Sequence, residues 1–313
     1  MTLAVGIDVG GTKIAGGVVD GDGELLEEAR VDSPARDAEA VADAIAGLIN
    51  DLASRHEVST VGVGAAGYID RARSNVLFAP NIAWRDVPLR AQLEAATALP
   101  VVIENDANAA AWGEFTYGAG SDVDDLLLVT VGTGVGGGVV LGGSLLRGAF
   151  GVAAEIGHLR MVPNGLLCGC GNRGCLEQYG SGSALVREVR EAARAGLAGA
   201  VPVLELAGGS AEAITGPIIT QAAQGDDPFA IAAIGEIGRW LGEGIASLAA
   251  VLDPAMVVIG GGVSAAGDLL LDPIRSAFQA SLTGHGHRPT AEITVATLGN
   301  RAGIVGAADL GRR

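Results

Sequence analysis

The chain has little that would carry it across a membrane, onto nucleic acid or into an oxidising compartment. No apolar run approaches the ~18 residues of a spanning helix. The opening Met1-Thr2-Leu3-Ala4-Val5-Gly6-Ile7-Asp8 has no basic leader and sets an acid inside its only early apolar stretch, which argues against a signal peptide. Basic residues number 20 against 36 acidic ones, and the formal charge of −16 repels nucleic acid and anionic lipid. Cysteine is scarce, and all three, Cys168, Cys170 and Cys175, fall in one short segment; an odd, local cluster suits metal ligation better than a disulfide framework. No linker-like or low-complexity segment divides the chain. These absences lead us to expect a cytoplasmic protein with no nucleic-acid or membrane partner. Its 313 residues suffice for one large α/β unit or two domains around a cleft.

Glycine, by contrast, is abundant. An acidic protein that handles a polyanion must gather positive potential from backbone N–H groups, helix N-termini and Mg²⁺, which directs attention to the glycine-rich turns. Leu3 to Val9 reads as a strand, Gly10-Gly11-Thr12 as a turn and Ile14 to Asp20 as a second strand. Residues 37–53 carry Ala38, Val41, Ile45, Leu48, Ile49 and Leu52 at helical spacing, and Thr60 to Val63 resumes a strand. A helix near 86–98 leads through Pro100 to a strand at 101–103, after which Asn105-Asp106 opens a small-residue helix. The opening pattern then returns, since Val9 to Val19 is echoed by Val131 to Val140, which predicts two homologous halves facing a common ligand. Phe229 to Leu252 sets Ile231, Ile234, Ile237, Leu241, Ile245, Leu248 and Leu252 on one helical stripe. Asp253-Pro254 stops it, 256–259 forms a strand and Gly260-Gly261-Gly262 turns; 195–217 reads as an irregular surface insertion.

Asp8 ends the first strand beside the bare N–H donors of Gly10 and Gly11, the Thr12 hydroxyl and Lys13. Mg²⁺ with phosphates needs that combination, because the acid holds metal-bound water while the glycines let phosphate oxygens reach the backbone. Gly6 to Lys13 nearly matches the phosphate loop of nucleotide triphosphatases, but its last pair is inverted and a strand stands where a helix should begin. An ordinary glycine hairpin would read the same way. Gly132-Thr133-Gly134-Val135-Gly136-Gly137 satisfies the Gly-x-Gly-x-x-Gly dinucleotide pattern, yet Gly138-Val139-Val140-Leu141 and Gly142-Gly143 read as strand and turn, so a second phosphate-facing hairpin fits better. Gly261 and Gly262 suit close passage of an adenosine ring, or only a tight turn. Asn105 and Asp106, where a strand gives way to a helix, can grip adjacent sugar hydroxyls, and Asp106 can accept a hydroxyl proton as that oxygen attacks phosphorus. The same two residue types also serve widely as helix N-caps.

His158 completes His-x₉-Cys-x-Cys-x₄-Cys with the three thiols, a set that suits a closed, structural, tetrahedral zinc site. A hydrogen-bonded core imidazole is the alternative. Glu155 and Glu177 flank the cluster, either as surface acids or, held by one metal knot, as hydroxyl acceptors.

Together these residues resemble the ROK family of sugar kinases and repressors, most closely its bacterial ATP-dependent glucokinases. The likeness runs from Asp8-Val9-Gly10-Gly11-Thr12-Lys13 through Glu104-Asn105-Asp106-Ala107-Asn108 and Glu155-Ile156-Gly157-His158 to the segment Cys168 to Gln178, its most specific part. It implies an α/β chain of the actin-like ATPase (ribonuclease H-like) fold, with two duplicated α/β domains closing over ATP and sugar. The implied domains are a smaller one of residues 1–119 plus 300–313 and a larger one of 120–299 with the zinc-binding loop. A homodimer or homotetramer is the usual assembly. The resemblance makes Asp106 the catalytic base and places Asn105, Glu155, His158 and Glu177 on sugar hydroxyls, with the histidine holding structural Zn²⁺ through its other nitrogen. Gly67 and Asn81 match further sugar-side positions. ATP and Mg²⁺ fall to Asp8, Gly10, Gly11, Thr12, Lys13, Gly132, Thr133, Gly134, Gly261 and Gly262. Family repressors carry a DNA-binding segment before the first glycine motif; with only seven residues ahead of Asp8, that branch is not expected. The expected reaction is transfer of the γ-phosphoryl of MgATP to the 6-hydroxyl of glucose. Kinases of mannose or N-acetylated sugars, a polyphosphate-using enzyme, a non-catalytic sugar sensor and a nicotinamide-dependent dehydrogenase are the alternatives.

Overall fold

The computed structural model describes residues 2–313; Met1, at which the expected first domain starts, lies outside the described residues. Two compact units emerge. The first takes in the chain up to Leu128 together with Gly137–Ala154 and Ala296–Arg313, and the second comprises Val129–Gly136 and Glu155–Val295. No helix among the described residues is long and apolar enough to cross a membrane.

The first unit opens with strands β1 (Leu3–Val9), β2 (Lys13–Val19) and β3 (Leu25–Asp32), helix α1 (Ala38–Arg55) and strand β4 (Val58–Ala65). A small antiparallel sheet of β5 (Tyr68–Ile69), β6 (Val76–Phe78) and β7 (Arg85–Val87) precedes α2 (Leu89–Thr97), β8 (Val101–Asn105) and α3 (Asp106–Tyr117). The main sheet runs β3-β2-β1-β4-β8, antiparallel from β1 outward through β2 and β3 and parallel through β1, β4 and β8. Its central strand β1 is almost continuously buried, as a strand covered on both faces must be, whereas edge strand β3 alternates. The residue types of β3 do not follow that alternation: Leu25-Leu26-Glu27-Glu28 come in apolar and charged pairs, which hid the strand from the sequence reading. Asp37 caps α1 by accepting from the N–H groups of Glu39 and Ala40, and Val41, Ile45, Leu48, Ile49 and Leu52 join Val5, Ile7 and Val63 in one core. The opposite face carries α10 (Ala302–Gly311), seated by glycines: a Cβ at Gly6 would stand 1.9 Å from the Ile304 carbonyl oxygen, and one at Gly62 1.7 Å from that of Ala307. The parallel register pairs Asp8 with Gly64 and Gly64 with Glu104, so β1, β4 and β8 end level. Ligands of open α/β sheets gather at such carboxyl ends.

The second sheet repeats the order of the first. Its strands are β9 (Leu126–Val131), β10 (Val135–Leu141), β11 (Ser144–Leu145), β12 (Met256–Gly260) and β13 (Glu292–Val295), arranged β11-β10-β9-β12-β13. As expected of the echoed glycine motif, β10 is a strand that ends in a turn, with Gly142 and Gly143 at positive φ, and no dinucleotide-type helix succeeds it. The doubled sheet order is that of the actin-like ATPase fold. Between β11 and β12 lie α4 (Glu177–Gly180), α5 (Gly182–Arg194), α6 (Val201–Leu206), α7 (Gly216–Gln224) and α8 (Pro228–Leu252), and α9 (Asp268–Ser281) comes after β12. Helix α8 packs closely on α9 because Gly238 and Gly242 present no side chain to Pro273 and Ile274. The expected irregular insertion at 195–217 is instead built of short helices, with Ala200, Val203 and Ile214 buried and Arg190 donating to the Ile214 carbonyl. Pieces this short leave no periodicity to read.

Compactness divides the chain elsewhere than at the expected 119/120 and 299/300. Residues 137–154 go with the first unit because Gly138 lies against Ala107 and Ala111 of α3, and Arg147 reaches Glu104 and the carbonyls of Asp70 and Arg71.

Candidate active site and metal centre

In the first unit the β1–β2 turn is closed by Gly10 donating to the Lys13 carbonyl, and Asn81 lies against Gly11. Thr12 and Lys13 are exposed. Asp8, beneath this turn, lies near Asp106, the first residue of α3. Burial and the Asp106 carboxylate push Asp8 up to about 7, against the pull of Lys13. Burial raises Asp106 as well, opposed by the N–H groups of Ala107 and of Asp106 itself and by the Asn105 amide. Two desolvated acids beside glycine N–H groups are poorly compensated by the protein alone, and a divalent cation with phosphate would complete them.

The N-cap alternative holds for Asn105. Its Oδ1 accepts from the Asn108 N–H at 3.0 Å while its Nδ2 donates to the Gly67 carbonyl at 3.2 Å. With the same amide also turned to the Asp106 carboxylate, what remains for a ligand is acceptor capacity on Oδ1.

The raised Asp8 carries a stability consequence. A folded-state value near 7 against about 3.9 in an unfolded chain means that the folded state holds the proton more tightly. Stability is therefore full below the unfolded value and falls as pH rises toward 7. Asp8→Asn should raise the melting temperature of the metal-free protein at pH 8, by roughly 2–4 °C per kcal/mol of relief, and much less at pH 4. Scanning calorimetry at the two pH values checks this; equal melting temperatures for both proteins at pH 8 refute it.

In the second unit the turn after β9 is closed by Gly132 donating to the Gly134 carbonyl, and Thr133 stands between them. Gly182 donates to the Gly132 carbonyl, and Gly261, at φ +85°, would bring a Cβ within 2.5 Å of the Val131 carbonyl oxygen. Gly132 and the Gly261-Gly262 turn thus share one edge of the sheet. A Cβ at Gly134 would stand 2.2 Å from Glu177 Oε2, which accepts from the Val135 N–H at 3.4 Å, so a side chain there would displace the Glu177 carboxylate.

The ligand atoms of His158, Cys168, Cys170 and Cys175 all lie within 4.8 Å of one another. Cys168 Sγ is 3.7 Å from His158 Nδ1, and Cys170 Sγ is 3.7 Å from Cys175 Sγ. A tetrahedron of 2.3 Å zinc–sulfur bonds has edges of about 3.8 Å, close to both distances, so the four residues fit that ion. The knot depends on Gly174, at φ +81°, where a Cβ would collide with the Val162 carbonyl oxygen. With Nδ1 turned to the thiols, His158 Nε2 faces the other way and lies 4.0 Å from Glu155 Oε2. Glu177, two residues beyond Cys175, sets its Oε1 3.6 Å from Cys168 Sγ.

Sequence reasoning assigned no role to Glu104, Arg73 and Arg147. Glu104 is 1% exposed, and its Oε2 lies 2.7 Å from Arg147 Nε and 3.1 Å from Arg73 Nε. The visible signal was an acid that directly follows the apolar stretch Val101-Val102-Ile103 within one strand.

The profile of the ROK family matches residues 4–313. A glucokinase of Streptomyces coelicolor is 51% identical over 312 residues, spanning 100% of this chain and 98% of the relative. The crystal structure of a ROK family glucokinase from Streptomyces griseus, in complex with glucose and AMPPNP, is 52% identical with a TM-score of 0.92, covering 99% of each chain. A ROK hexokinase from Thermus thermophilus is 36% identical with a TM-score of 0.80, covering 99% of this chain and 98% of its own. A match of this length and identity places the chain in the ROK family.

Proposed function

We propose that the chain is a glucokinase, transferring the γ-phosphoryl of MgATP to the 6-hydroxyl of glucose to give glucose 6-phosphate and ADP. The observation that supports this most is the identity of 51% with a glucokinase along the whole chain, joined to an intact Asp106 at the carboxyl edge of the parallel strands. In this reading Asp106 takes the hydroxyl proton as the sugar oxygen attacks phosphorus, its proton affinity raised by burial. Glu155, Glu177, Asn105 and the Nε2 of His158 pair with sugar hydroxyls, with Gly67 and Asn81 beside them. The N–H groups of Gly11, Thr12 and Lys13 and of Thr133 and Gly134 receive phosphate oxygens, while Gly10 and Gly132, whose own N–H groups close the two turns, let the phosphates approach, and Gly261 and Gly262 leave room for the adenosine. Asp8 is the acid that would hold Mg²⁺, which when bound neutralises charge on the phosphates. His158, Cys168, Cys170 and Cys175 would hold a structural zinc.

The functional lobes are residues 1–119 with 300–313 and residues 120–299, and the working enzyme is a cytoplasmic homodimer or homotetramer. A coupled ADP-release assay over glucose, mannose and N-acetylmannosamine, with ATP and with polyphosphate, tests the reading. Glucose with ATP should give the highest kcat/KM, by roughly tenfold or more, the discrimination a lost or displaced hydroxyl contact supplies. A higher value for another sugar or for polyphosphate reassigns the substrate, and no turnover with any pair removes the kinase reading.

A further inference from the structure

Glu104 immediately precedes the turn from β8 to α3, and both of its carboxylate oxygens are engaged. Oε1 accepts from the backbone N–H of Asn105 at 3.0 Å and from Asn108 Nδ2 at 3.1 Å. Oε2 takes the two guanidinium groups as ion pairs rather than as aligned hydrogen bonds, at 2.7 Å from Arg147 and 3.1 Å from Arg73. Arg147 is itself held, its Nη1 donating to the Arg71 carbonyl at 2.8 Å and its Nη2 to the Asp70 carbonyl at 2.9 Å. In return Arg71 Nη1 donates to the Ala149 carbonyl at 3.2 Å. The loop after β11 is thereby stitched to the turn after β5, and both are stitched to the end of β8.

A carboxylate this buried is tolerated only with its cations, and removing one partner leaves an uncompensated charge. Relaxation of Glu104 would reach the Asn105 N–H and the Asn108 amide, the two groups that brace the peptide on either side of Asp106. We propose that Arg147 is a positioning residue for phosphoryl transfer: through Glu104 it fixes the β8–α3 turn and so holds Asp106 on the line of the attacking hydroxyl. The proposal rests on Asp106 acting as the base. Misplacement by a fraction of an ångström is enough to matter, because a displacement of about 1 Å can cost 10²-fold in rate.

The test is a double-mutant cycle between Arg147 and Asp106, read as kcat with saturating ATP and glucose well below each melting temperature. Arg147→Gln should lower kcat roughly 10–100-fold while the KM for ATP stays within about twofold, the pattern of an interaction used in the transition state. In the Asp106→Asn background the same substitution should cost little more, since its effect passes through a group already lost. Arg147→Lys, which keeps a cation against Glu104 but cannot serve both carbonyls, should fall between wild type and Arg147→Gln; it replaces the latter in the cycle if Arg147→Gln does not melt cooperatively. An undiminished rate loss in the Asp106→Asn background, or a folded Arg147→Gln with wild-type kcat, overturns the positioning role alone. Near-normal turnover of Asp106→Asn overturns the base assignment, and the positioning role falls with it.

Discussion

Asp106→Asn is expected to lower kcat by roughly 10²–10⁴-fold and to leave glucose affinity within a few-fold. The substitution keeps the size and hydrogen-bonding reach of the side chain and removes only the capacity to take a proton. Asp106 begins α3 but is not its cap, which is Asn105, so the helix start should survive the change. The melting temperature should not fall, because burial already disfavours the charged carboxylate that the amide replaces. Steady-state kinetics together with a thermal melt decide the matter: a rate loss accompanied by a large loss of stability would show that Asp106 supports the fold, and an unchanged rate would move the base elsewhere.

Cys170→Ala should release about one zinc per chain and raise the glucose KM by roughly 10–100-fold, although no cysteine is assigned to the sugar. Burial and the two neighbouring thiols push Cys175 up to about 12, so without a metal this sulfur keeps its proton. A bound cation favours the thiolate and links the four ligands into one body. Glu177 and His158 owe their places to that body, through Cys168 Sγ in the first case and the ring Nδ1 in the second. ATP should be affected less, because the Gly10–Lys13 turn belongs to the other unit. The Gly134 hairpin is not fully insulated, since Glu177 packs against it, and a modest rise in the ATP KM is expected. Metal analysis of the wild type and titration of both ligands against the variant are the measurements. Absence of stoichiometric zinc sinks the assignment, and equal losses for sugar and nucleotide indicate unfolding.

Local signals explain which parts of this molecule could be read in advance. The β1–β2 hairpin, its echo at β9–β10 and the long stripe of α8 are carried by periodicity and by turn residues within a few positions of one another. The four candidate metal ligands fall in a single segment, and their spacing carried over into space. Strand β3 was missed because Leu25-Leu26-Glu27-Glu28-Ala29-Arg30 pairs on one edge only and keeps its charges in water. The contacts of Glu104 were invisible for a different reason: one charged residue in a strand does not announce which distant arginine neutralises it. Asn105 shows a third limit, since capping and ligand binding ask for the same side chain and its cap geometry leaves room for both roles.

Helix α10 sets the timing of assembly. It joins the first unit across very long stretches of chain, as the bonds from Thr60 to Gly311 and from Trp112 to Asp309 show, at separations of 251 and 197 positions. Until residues 302–311 have left the ribosome, one side of the nascent sheet, with Ala4, Ala15 and Val19, has no cover from Ile304, Val305 and Ala308. Contacts of such span are slow to form, and the uncovered surface is of the kind chaperones shield. Gly303 of the same helix rests against Asp8, so the surroundings of this acid are finished only after the second unit has been translated. An incomplete chain therefore lacks the cover that buries Asp8.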